Sequence, residues 1–383
     1  MTAKPIKGKS TEEIQAALQH ACLPDGQDFK PTLAIVFISV KQDREAICKL
    51  LHEKGIHIFG ATTSGEFIDA EIGEGSIVIL LLDINPAWFK IIFLETGASS
   101  AYEVARQAGI EGRKIFSNPA FIIASGWLHT DGEQIVAGIE AGTGADTTIF
   151  GGMAGDDLAL REPLVFTHGY SSTTGLVALI IDEHKIAVKG IATCGWKPIG
   201  ITKTITKSID NVVYTIDGQP ALDLVLKWLG LTMDHDSTAS STVVNLGAYY
   251  PFQLERENAP PVMRTAMLGN TKDRSLICAG NVPQGAKVRF SLPPDFDVID
   301  TVVEECYELK NESQPEADAL IMFSCISRYL SFGVMTSEEI EKIQDVWQAP
   351  MAGFFSYGEF GKSKRVRHEF HNNTCCVVVL KEK

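Results

Sequence analysis

No apolar run in this chain is long enough to cross a bilayer: the strongest, Ile77–Leu82, has strand length. A membrane is therefore not an expected partner. Positive charge is also short, with 34 Lys and Arg against 48 Asp and Glu, a formal net charge of −14 that no local basic run offsets. Such a surface does not gather phosphates by counterion release, which argues against nucleic acid. The eight cysteines, at positions 22, 48, 194, 278, 306, 325, 375 and 376, contain no CxxC pair, and a chain of 383 residues needs no disulfide staples. They read as reduced thiols of a cytoplasmic protein. Cys375 and Cys376 are adjacent on an expected strand and point to opposite faces, against a shared metal or bridge. Low-complexity sequence is absent, as is a Gly-x-Ser-x-Gly nucleophile elbow. Met1–Ser10 has positive residues but no apolar stretch behind them, so no secretory signal is expected.

What is present is a large store of core-forming residues. A hydrophobic fraction of 45%, a charged fraction of 21% and 33 glycines describe a globular α/β protein. The length suggests two domains or one duplicated body. Three strand-like runs end in the same kind of turn: Gly60 to Phe67, Gly151 to Asp156 and Gly353 to Phe360. Each places a Gly and a carboxylate where a strand leaves its sheet, behind a second apolar run and an amphipathic helix. The chain therefore reads as repetition of one strand-helix-strand unit.

Periodicity fills in the units. Ser10 caps a helix with Ile14, Leu18 and Cys22 on one face, and a buried strand runs over 33–39. A helix over 43–54, ended by Gly55, leads to the strand at 57–60. Strands over 76–82 and 88–94 follow. The second unit repeats this order with helices near 101–108 and 133–141 around a strand at 120–124. Strands at 176–181 and 186–192, joined by the charged turn 182–185, read as a hairpin. In the third unit, helices over 298–309 and 337–347 flank a strand at 319–323, and strands at 368–370 and 375–380 close the chain as a pair. Residues 201–292 hold short strands and one helix over 220–229, a candidate worn fourth copy. Crossovers within one sheet plus added antiparallel strands predict mixed β-sheets flanked by helices, in two related halves.

At these motifs the chain resembles the FIST-domain family, an N-terminal module over 1–222 followed by a C-terminal module over 223–383. The resemblance rests on Gly60–Glu66, Gly151–Asp156, Gly195–Gly200, Val213–Ala221, Phe323–Arg328, Gly353–Glu359 and Asn372–Thr374. It implies a sensory protein that binds small molecules such as amino acids in signal transduction. Some stand-alone members are haem-binding nitric oxide sensors, which makes haem a possible cofactor. No F-box, kinase, receptor or cyclase module is recognisable here, so the output is expected through a separate signalling protein such as a histidine kinase.

Each candidate site residue also has a plainer reading. Thr63, Ser64 and Glu66 offer hydroxyls and a carboxylate at a strand end, suited to an ammonium or hydroxyl ligand, or they merely cap a turn. Tyr357, Gly358 and Glu359 lie near the end of the strand that carries Cys325 and Arg328, and an Arg fork beside a Glu matches an amino acid. The plain alternative is an Arg328–Glu359 ion pair. Asn373 suits a left-handed turn as well as a ligand, and Trp196 before Pro198 suits a core anchor as well as a ligand cover. For a thiol enzyme, Cys325 would need a His base that no pattern identifies. His368 and His371 face opposite ways on a strand, against a shared metal. For haem, His129, His168, His184 and His235 are candidates without a preference, and catalytic chemistry is not expected.

Overall fold

A computed structural model describes residues 1–22, 29–126, 132–144, 147–231, 247–257, 259–292, 294–364 and 367–383. The strand-helix-strand unit occurs three times. Strands Leu33–Ile38 and His57–Thr62 are parallel across helix Arg44–Glu53. Pro119–Ser125 and Ile149–Met153 are parallel across Gly132–Thr143. Ala319–Cys325 and Met351–Ser356 are parallel across Ile326–Phe332 and Thr336–Trp347. Beside the first strand of each pair runs an antiparallel return strand: Ile77–Asp83, Gly175–Asp182 or Cys375–Glu382. Outside that lies the strand that opens the unit: Thr2–Gly8, Phe89–Glu95 or Ile186–Thr193. The first helix after each opening strand of the repeat, reached in the third unit only past residues 198–291, has its first turn closed by a side-chain cap, from Ser10, Ser100 and Asp295 in turn.

The three mixed sheets face a common core. Leu33, Ile35 and Phe37 point into it together with Ala120, Ile122, Ala124, Ile321 and Phe323. The alternate residues of the first sheet, Ala34, Val36 and Ile38, meet Ile14, Leu18, Ile47 and Leu51 of its covering helices. Burial on both faces is why these strands read as continuous apolar runs.

The fifth and sixth places in each of these three sheets are filled from elsewhere. Past its turn, each unit sends a hairpin to a neighbour's sheet. Glu66–Ile68 of the first unit pairs with Met351–Ser356 of the third. Glu359–Lys362 of the third pairs with Ile149–Met153 of the second. Val165–Thr167 of the second pairs with His57–Thr62 of the first. The exchange is cyclic and closes on itself. In every case a Phe of the incoming strand stands opposite a Gly: Phe67 on Gly353, Phe360 on Gly151, Phe166 on Gly60. A Cβ at Gly60 or Gly353 would lie 2.2 Å from the ring of its Phe. Gly60 and Gly353 are therefore seats for the neighbour's aromatic side chain, while at Gly151, the third such position, a Cβ would first meet the Ile123 carbonyl at 2.0 Å.

Three expectations are corrected. Strands Gly175–Asp182 and Ile186–Thr193 do not form a hairpin, because a unit boundary falls between them and they enter different sheets. His368–His371 and Cys375–Glu382 separate for the related reason that the exchanged hairpin ends between them. Residues 198–291 are not a fourth copy. Their eight strands pair only antiparallel among the described residues, with a core of their own, and they interrupt the third unit after its opening strand.

Gly353→Ala forces a methyl into Phe67. We expect a loss of about 1–3 kcal/mol in urea unfolding; a loss below about 0.5 kcal/mol contradicts the seat.

Candidate functional site

Where a strand leaves one sheet for the next, its backbone stitches two units together. The Thr62, Met153 and Phe355 amides, two residues past Gly60, Gly151 and Gly353, donate to the carbonyls of Leu164, Gly358 and Gly65 in the neighbouring turn. The side chains of the turns are drawn inward at the same points.

Glu359 is fully buried. It accepts from Ser356 Oγ at 2.7 Å and Thr374 Oγ1 at 2.9 Å, and the Cys325 thiol also reaches it. Burial outweighs these donors and pushes its carboxyl up to about 8. Glu66 is its counterpart, accepting from Thr63 Oγ1 and from Ser76 Oγ at 2.7 Å, and burial pushes it up to about 7. The second unit has Val165 at this register position. Its acid, Asp156, accepts the amides of Leu160, Arg161 and Glu162 at 2.9, 2.7 and 2.8 Å and the Tyr357 hydroxyl at 2.5 Å. Ser64 Oγ faces the Leu158 amide of the same loop at 3.4 Å.

Arg328 turns away from Glu359. It sits at the first turn of helix Ile326–Phe332 and puts its fork on Glu339, eleven residues on; both side chains are fully buried. Its Nη1 donates to the carbonyls of Cys194 at 2.8 Å and Asn373 at 2.9 Å. Trp196 and Phe332 lie against the guanidinium at 5.1 and 4.7 Å. Asn373 is left-handed at φ 54°, accepts from Thr265 Oγ1 and donates to the Ala248 carbonyl at 3.0 Å. Arg328, Trp196 and Asn373 thus make one hub that ties the third unit to the inserted sheet.

Cys325 and Tyr357, by contrast, share a cavity of about 30 Å³ with Asn372 and Ser327. Leu158 and Leu160 come to it from the second unit, Ile326 and Leu330 from the third, and Thr265, Met267 and Ala279 from the inserted sheet. Sequence reasoning missed every residue of this wall except Cys325 and Tyr357. Asn372, beside Asn373 in one motif, and Ile326 and Ser327, beside Cys325 in another, were the further signals available.

A family model described as FIST N domain matches residues 32–219, and one described as FIST C domain matches 221–362. The chain belongs to the FIST family. FIST domains are sensory domains associated with signal transduction. No curated protein is significantly similar to the chain. The division expected at 222/223 falls inside helix Ala221–Trp228, close to where the two matches meet. The hairpin strand Glu66–Ile68 lies within the FIST N match and completes a sheet of the FIST C match.

The histidines divide into several settings. His129 and His235 lie outside the described residues. His168 stacks on His52, and His184 is exposed on a turn. His371 is buried against the Gly361 carbonyl, and burial pushes it down to about 3. His368 is likewise pushed down to about 4 by burial, beside a groove of about 440 Å³. Glu140, Glu305, Glu308 and Glu312 stand on the wall of that groove with Lys189, Lys362, Lys364 and Arg367 and with the apolar Phe150, Val188, Ile191 and Leu309.

Glu66 and Glu359 hold their protons more tightly folded than unfolded, where the ordinary value is 4.5. The stability they contribute is complete below pH 4.5 and is lost as pH rises through about 7 and about 8. We expect stability to fall between pH 5 and 8, by up to about 1.4 kcal/mol per unit for each group. Glu359→Gln should flatten the upper part of that fall in pH-dependent urea unfolding. An unchanged slope contradicts the assignment.

Proposed function

We propose that this FIST protein senses a small molecule at the cavity between its second unit, third unit and inserted sheet, and performs no chemistry on it. The observation that carries the reading is convergence: the second unit, the third unit and the inserted sheet meet at one small cavity. An occupant there alters their mutual packing, and a ligand signals only by favouring one packing over another. Cys325 and Tyr357 form the wall, with Gly358 and Glu359 behind them. Arg328, Asn373 and Trp196 hold the adjoining hub, while Thr63, Ser64 and Glu66 pin the first unit's turn. The changed packing passes to a separate signalling protein, such as a histidine kinase, in the cytoplasm. Among the described residues, no helix is long and apolar enough to cross a membrane.

A thiol enzyme is the weaker reading. Burial first, and then the Glu359 carboxylate, hold the Cys325 thiol above its usual range. A nucleophile needs the opposite shift.

Thermal unfolding of the full chain across a panel of metabolites tests the proposal. At least one compound should raise the Tm by several degrees, since saturation at a hundredfold Kd contributes about 2.7 kcal/mol. Ala279→Phe, which fills the cavity, should abolish that rise. A rise kept in the filled variant contradicts the site, and no response to any compound contradicts small-molecule sensing.

A further inference from the structure

We infer that the ligand of this cavity is a small uncharged molecule that donates one hydrogen bond to Asn372 and sets an apolar body against Leu158 and Leu160, its lid. The inference rests on the small-molecule reading above.

Asn372 is fully buried on the cavity wall. Its Nδ2 donates to the His371 carbonyl at 3.0 Å, while its Oδ1 has no partner among the described residues. Exchanging the two amide atoms gives no relief, because it would set carbonyl against carbonyl. The neighbouring polar groups are engaged: the Tyr357 hydroxyl with Asp156, Thr265 with Asn373, and the Cys325 thiol with Glu359. Ser327 is engaged as well, with the Cys325 thiol, so Asn372 Oδ1 is the one side-chain polar atom of the wall left without a partner among the described residues, and its complement is an N–H or O–H donor.

Charge is excluded by the same wall. Among the described residues no ionic side chain lines the cavity. The nearest buried ions are already spent, Arg328 on Glu339 and Asp156 on three amides. An ammonium or carboxylate entering here would lose its hydration without a counter-charge. A zwitterion fits less well than a neutral amide or alcohol.

The lid is where the three exchanged turns cease to match. In the first and third units, Gly65 and Gly358 are followed at once by Glu66 and Glu359 of the exchanged strand. In the second, residues 156–164 intervene between Gly155 and Val165. Three of these residues are left-handed without being glycine: Asp157 at φ 53°, Leu158 at 64° and Leu160 at 52°. Such conformations persist only where surroundings impose them, and here Asp156, Ser64 and Tyr357 do so. Leu158 is 40% exposed although it lines the cavity, so it can swing outward without opening a core. At about 30 Å³ the closed cavity seats a water or a single functional group. A larger molecule displaces the two leucines and thereby moves the loop that Tyr357 and Asp156 hold.

The test is methyl carbon-13 NMR of the full chain titrated with acetamide, N,N-dimethylacetamide, acetate and glycine. Acetamide should shift the methyls of Leu158, Leu160, Met267, Ile326 and Leu330. N,N-dimethylacetamide and acetate should need at least tenfold higher concentration. Asn372→Leu should weaken acetamide at least tenfold. Because Asn372 is buried, Leu158→Ala on the exposed lid provides a second arm, and it should bind butyramide more tightly than the native chain does. Equal binding of acetamide and its dimethyl form, or unchanged butyramide affinity in Leu158→Ala, overturns the inference. Preferential binding of glycine or acetate at these methyls overturns the neutral class while leaving the small-molecule reading intact. If none of the four probes shifts these methyls, the inference falls, and the reading then stands or falls on whether a compound from the thermal panel does so.

Discussion

Each of the three mixed sheets of this protein is finished by a hairpin that belongs to another unit, and the other features follow from that exchange. A strand-helix-strand unit with its return strand leaves one sheet edge open, an edge with unpaired amides and carbonyls. Here the first unit closes the third, the third closes the second and the second closes the first. The glycines of the repeated turn are the clearest imprint of this arrangement. Gly353 and Gly60 leave room for Phe67 and Phe166, and Phe360 stands opposite Gly151; these rings bring apolar area onto an edge that would otherwise be wet.

The exchange also explains the buried acids. A chain passing from one sheet to another turns sharply among packed side chains, and its polar groups must find partners there. Glu66 and Glu359 fill that need with hydroxyls from their own turn and from the start of their return strand. The second unit, whose crossing is lengthened, uses Asp156 to cap the added loop instead. Asymmetry and function then coincide: the loop that departs from the pattern roofs the cavity where the second unit, the third unit and the insert meet.

Much of the fold was legible because strands buried on both faces and capped amphipathic helices announce themselves within a few residues. The three turns were legible as a repeat for the same reason. Their partners were not. Phe67 meets Gly353 and Tyr357 meets Asp156 across separations that no local pattern encodes. Thr2–Gly8, rich in Lys and holding a Pro, reads as polar chain until its pairing with Ile77–Asp83 is seen. Arg328 was singled out as a fork beside Glu359, but its carboxylate is Glu339, on a following helix whose acidic first turn resembles ordinary solvent-facing charge. Of the candidate site, Cys325 and Tyr357 could be reached from sequence, whereas Thr265, Met267 and Ala279 come from short strands with no motif.

The most direct test of the cyclic exchange is native-state hydrogen exchange at the Thr62, Met153 and Phe355 amides, each bonded to a neighbouring unit's turn. A closed ring predicts that all three exchange with one opening free energy, equal to that of global unfolding. If any of the three opens at a lower free energy while the others stay protected, the units are separable and the account is contradicted.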